Sequence, residues 1–67
     1  KLLKLNNMRE MTSYLATGLA EGFEIPESME ELISAWQYLH DTKLAYKLQG
    51  FFGRNAKHLI EQGIIKE

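Results

Sequence analysis

Apolar residues recur along this chain at helical intervals and never in sustained alternation. Met8, Met11, Leu15 and Leu19 form one stripe, with Leu5 a turn upstream. Asn7 and Glu10 have the spacing of a capping pair, so a first helix is expected from about Met8. Gly22 is its expected stop, since glycine takes the left-handed conformation cheaply. Gly18 lies inside this helix and weakens it by ~1 kcal/mol relative to alanine, which a close approach of another helix would explain. Pro26 biases Ile25 toward extended backbone. Phe23 and Ile25 are therefore expected to lie on the core as the chain crosses over. Ser28 with Glu31 gives the S-x-x-E signature of a second helix. Met29, Leu32, Ile33 and Trp36 follow at i, i+3, i+4 and i+7, and Leu39 continues the stripe. Glu30 and Glu31 fall in the first turn, where the helix dipole favours negative charge.

His40-Asp41-Thr42 ends the second helix, and Asp41 or Thr42 is the expected cap of a short third one carrying Leu44, Ala45 and Leu48. Gly50 is expected to close that helix at positive φ. A fourth helix is expected from Gly53 or Arg54, with Ala56, Leu59 and Ile60 on one face, Gly53 allowing a close start and Phe52 wedged inward. Gly63 at C′ pairs Ile64 with Leu59 in a Schellman ending, which predicts that Ile64 and Ile65 fold back onto the core. The pattern thus predicts an all-α fold: a compact bundle of three to four short helices in a single domain over residues 1–67. Its predicted core is Met11, Leu15, Leu32, Ile33, Trp36, Leu48, Leu59 and Ile60. The opening KLLKL reads as a tag remnant, with Met8 the natural start, or as an extra turn or strand.

Size sharpens this picture. A 67-residue chain buries only about 60% of its unfolded surface, and such a core rarely supplies more than ~3–5 kcal/mol. With no cysteine, disulfides and thiolate metal sites are excluded, which leaves self-association or docking on a partner as added support. The formal net charge of −1 argues against a polyanion binder. Charge is uneven, however: Ala20 to Leu39 holds five acids and no base, whereas Lys43 to Lys57 holds four bases and no acid. Two solvated helix faces attracting each other across the fold are the expected outcome, and a partner or nucleic-acid surface is the alternative. No apolar run approaches the ~18 residues of a membrane span, and the start lacks a signal-peptide core. A soluble, intracellular protein is expected.

Candidate chemistry is sparse. His40 and His58 are the two histidines, expected to be exposed or capping. His58 and Glu61 share a helix face and could hold a metal only with ligands from elsewhere. No HExxH, phosphate loop or nucleophile elbow is present. Gly50-Phe51-Phe52-Gly53 has the outline of a G-x-x-G clamp, but its middle pair is aromatic rather than basic. No catalytic residue, metal or cofactor is expected. Arg54 opposes the dipole at a helix start, which predicts an internal acceptor holding it, with a ligand contact as the alternative. Trp36 is the expected core centre. Tyr38 and Tyr46 fall off the apolar stripes and are expected at a rim or interface.

From Ala35 to Ile65 the chain resembles a family of very short phage-encoded proteins of unknown function. The block is L-Q-G-x-aromatic-G-R-x-A-x-x-L-I-x-x-G, here Leu48 to Gly63, with Gly50, Gly53, Arg54 and Gly63 all in place. Family members usually carry small or hydroxyl residues where this chain has Asn55. The resemblance implies a phage or prophage origin and the host cytoplasm, and it implies no activity. The missing catalytic constellation, the marginal size and the many aromatics make a non-enzymatic protein-interaction module the expectation, binding a host or phage protein and pairing as a homodimer through Tyr38, Tyr46 or KLLKL. The alternative is a small nucleic-acid binder. The last helix with Gly63-Ile64-Ile65-Lys66 resembles a winged-helix recognition helix and first wing strand, with Lys43, Lys47, Arg54 and Lys57 as phosphate contacts.

Overall fold

The structure, a computed structural model, describes residues 10–67. It is all-α: α1 (Ser13–Glu21), α2 (Met29–Asp41), a 3₁₀ turn (Leu44–Tyr46) and α3 (Gly50–Glu61). No strand occurs among the described residues.

The first helix starts later than its stripe suggests. Glu10 and Met11 are not helical, and Thr12 is the N-cap, its Oγ1 accepting the Leu15 amide at 3.1 Å. A hydroxyl at Thr12 satisfies a free amide of the first turn, which fixes the start there. Asn7, Met8 and KLLKL lie outside the described residues. At the far end Gly22 takes φ +89°, and the Phe23 amide donates to the Gly18 carbonyl at 2.9 Å. The neighbour that crowds Gly18 is the returning chain rather than another helix: a methyl group there would stand 3.0 Å from Glu24 Cγ.

That turn overrides the expectation for the connector. Phe23 and Ile25 are 83% and 84% exposed rather than laid on the core. Having doubled back over the outer face of α1, the chain carries both side chains outward. In α2, Ser28 Oγ accepts the Glu31 amide at 3.1 Å as expected. The buried Glu31 carboxylate accepts from the amide of Glu27, at 2.8 Å.

The segment after α2 departs furthest from the pattern. Asp41 belongs to α2, Thr42 is its C-cap, and Lys43 takes the left-handed region at φ +68°. The chain then makes a single 3₁₀ turn without a side-chain cap. With three residues per turn, positions four apart no longer share a face. Ala45 is buried while Leu48 stays 38% exposed, so Leu48 is not a core residue. Gly50 begins α3 instead of ending the preceding element, because Gln49 is extended and acts as N-cap. Positive φ among glycines is confined, in the described residues, to Gly22 and Gly63. Gly53 does lie close: a methyl group there would stand 3.4 Å from Tyr46 Cδ1 and 3.5 Å from the Ala45 carbonyl.

The core is built around small side chains. Ala16, Ala35, Ala45 and Ala56 are fully or almost fully buried together with Leu19, Trp36, Leu39, Phe52 and Ile65. Met11, Leu15, Leu32, Ile33, Leu59 and Ile60 pack against this cluster half-covered. The Phe52 ring sits 6.0 Å from Trp36 and Phe51 meets Trp36 edge-on at 6.4 Å. The end of α3 is a Schellman motif: the Ile64 amide donates to Leu59 at 2.9 Å and Gly63 to Ile60 at 3.0 Å. It returns Ile65 to the core but leaves Ile64 45% exposed. Beyond it, Gln37 grips the backbone of Lys66, its Oε1 accepting the amide at 2.7 Å and its Nε2 donating to the carbonyl at 2.8 Å.

Three outcomes check this fold. Trp36→Ala and Phe52→Ala should each cost about 3–5 kcal/mol, comparable to the whole stability, and leave the chain unfolded by circular dichroism. Gly63→Ala should cost about 1 kcal/mol or more, because alanine is strained at positive φ. Gly50→Ala should be neutral or mildly stabilising in urea melts. Its added methyl meets only the flexible end of Arg54, and alanine suits a helix better than glycine.

Candidate functional site: an apolar groove between α2 and α3

Leu32, Ile33 and Trp36 of α2 face Asn55 and Leu59 of α3 across an open groove of about 370 Å³, with Met29 and Ile64 at its edge. The i, i+3, i+4, i+7 pattern of α2 places Met29, Leu32, Ile33 and Trp36 on one face. Only part of that face is used internally. Trp36 is 6% exposed, whereas Met29 is 70% exposed and so stands on the rim instead of in the stripe's core. On α3, Asn55 and Leu59 are one turn apart, and Asn55 is the single polar residue in the lining. Helical geometry sets Phe51, Arg54 and His58 beside that stripe, all exposed, and sets Glu30 beside Ile33 on α2. The rim therefore carries a carboxylate, Glu30, on the α2 side and a guanidinium, Arg54, on the α3 side. Such a groove offers apolar burial and places no acid, base or nucleophile in its lining.

The sequence-predicted residues are scattered around the molecule. Lys43, Lys47, Arg54 and Lys57 are all exposed, and none is held in an ion pair by a described residue. The acidic and basic segments are thus not joined through these four side chains. Arg54 has no acceptor among the described residues, contrary to the expected internal one; its Nη1 lies over Gly50, 2.9 Å from where a methyl group would stand. The wing-like tail is absent, because Ile65 is buried in the core and the Lys66 backbone pairs with Gln37.

Tyr38 and Tyr46 have internal partners. The Tyr38 hydroxyl lies 3.3 Å from Ser13 Oγ, and the Tyr46 hydroxyl 2.6 Å from His40 Nδ1. His40 is buried rather than exposed or capping. It lies one turn after Trp36 on the inner side of α2, and the left-handed turn at Lys43 folds Tyr46 back against it. His58 and Glu61 are both exposed on α3. Among the described residues no group of three or more metal-ligating side chains gathers, and no helix is long and apolar enough to cross a membrane.

Helical spacing puts Leu32, Ile33 and Leu59 in the core and Met29 on the same stripe, and does not single out Asn55 or Ile64 as a surface. The signal was available: Met29 opens the helix, where the stripe has no preceding turn to pack on, and Ile64 follows the C′ glycine. Comparison with family models, curated proteins and solved structures returns no match to this chain.

The His40–Tyr46 contact is testable. Tyr46→Phe keeps the ring but leaves the buried Nδ1 without its hydroxyl, and should cost about 1–3 kcal/mol in a urea melt, while Tyr38→Phe, on the more exposed pair, should cost less.

Proposed function

We propose that this chain is a non-enzymatic protein-interaction module that pairs with a second copy of itself through the α2–α3 groove. The observation that carries the reading is the groove itself, in which Met29, Ile33, Trp36, Leu59 and Ile64 present apolar surface beside one asparagine. Charge supports self-pairing. A twofold axis sets α2 of one copy against α3 of the other, so Glu30 meets Arg54 while the apolar floors stack. The interface thereby moves from Tyr38 and Tyr46, whose hydroxyls have internal partners, to a face that no described residue covers. The likeness of Leu48–Gly63 to short phage proteins supports a phage or prophage origin and action in the host cytoplasm, on host or phage proteins.

Sedimentation equilibrium from low to high micromolar concentration tests this reading. The wild type should shift toward dimer, and Met29→Glu should remain monomeric with an unchanged helical spectrum, because Met29 is mostly solvent-exposed. A wild type that stays monomeric at about 500 µM, far above the Kd of an interface worth ~6 kcal/mol, overturns the pairing.

A further inference from the structure

Tyr14, Thr17, Gly18 and Glu21 lie at i, i+3, i+4 and i+7 of α1, on the face turned away from buried Ala16 and Leu19. Core packing explains none of them. The amides of Phe23 and Glu24 both donate to the Gly18 carbonyl, at 2.9 and 3.1 Å, and so draw the returning chain over this face. The six residues line a cleft of about 230 Å³. Tyr14 is 84% exposed and Phe23 83%, two aromatic side chains held at the surface of a cleft that Glu21 and the stem of Glu24 also line. Gly18 forms the floor, where even a methyl group would crowd the Glu24 stem.

We propose that this cleft binds a cationic side chain, the arginine or lysine of a basic segment on a partner protein. Aromatic faces attract cations through their quadrupole, and the carboxylate of Glu21 supplies full negative charge at an exposed position. Glu21 also closes the last turn of α1, where the helix dipole is itself negative. An acid there is locally unfavourable, and a bound cation offsets it. No base lines the cleft, which disfavours an anion. The volume lies below the ~300–1,000 Å³ of pockets that take whole small molecules and suits one side-chain head group. None of the lining residues belongs to the α2–α3 groove, so cation capture and self-pairing are separable.

The test is an amide chemical-shift titration of the full chain with blocked tripeptides whose central residue is arginine, lysine or glutamate, at matched ionic strength. Saturable shifts at Tyr14, Gly18 and Phe23 are expected with the arginine and lysine peptides and not with the glutamate peptide. Phe23→Leu, which keeps apolar bulk but removes the ring, should weaken binding about two- to fivefold, as loss of one exposed cation–π contact implies. Glu21→Gln should weaken it as well and flatten its dependence on salt. Absent or non-saturable shifts, equal shifts with the glutamate peptide, or binding untouched by both substitutions would overturn the proposal. Both positions are exposed, so an unchanged helical spectrum is expected for each variant.

Discussion

The packing of Phe52 against Trp36 is the contact on which the rest of the molecule depends. The α1–α2 pair is local in sequence and closes over Ala16, Leu19 and Ala35. α3 packs at Gly53 on the 3₁₀ turn that precedes it, and it reaches the core through Phe52, Ala56 and the returning Ile65. Of these only Phe52 presents a large ring to the tryptophan, and aromatic pairs at this separation add to the gain from burial alone. The same bulk keeps α2 and α3 from closing completely on one another. Leu32, Ile33 and Leu59 are left half-covered, and the groove is the space that results.

Helix ends were easier to read than helix beginnings. Gly22 and Gly63 stop their helices as expected, because a left-handed C′ position is a demand that few other residues meet well. Ser28 was equally readable, since its hydroxyl and Glu31 make a local motif. Thr12 was hidden because the apolar stripe runs past it to Met8 and suggests an earlier start. The Leu44–Leu48 stretch misled for a different reason. Its residues obey helical spacing, but Lys43 turns left-handed and the chain tightens to a 3₁₀ turn, which re-aims every side chain after Ala45. Gly50 consequently opens α3, where helical spacing alone would put an end. The core itself was half visible: a stripe of large residues marks the inward face, but the positions of closest helix approach go to alanines, which periodicity alone does not rank.

The candidate surfaces were the least readable part. Tyr14 and Phe23 are large and apolar, so their residue types offer no reason to put them outside, and Met29 betrays its exposure only by its place at the start of α2. Their exposure follows from backbone geometry: the reversal after Gly22 for Phe23, the first turn of α2 for Met29, and the outer arc of α1 for Tyr14. The histidine at position 40 is the converse case, a polar residue drawn inside because a tyrosine six residues later returns to meet it.

Gln37 has one further consequence. It holds Lys66 by both main-chain groups, donating to one and accepting from the other, as an adjacent strand would. Recognition is one-sided in information. Almost any residue suits position 66, because its side chain takes no part; only proline, which lacks the amide hydrogen, spoils the pairing. Position 37 tolerates far less. Glutamate, nearly the same shape, would set a carboxylate against the Lys66 carbonyl and exchange a donor for a repulsion. Natural variation should therefore drift freely at one end of this clasp and stall at the other, leaving a contact invisible to any search for positions that change together.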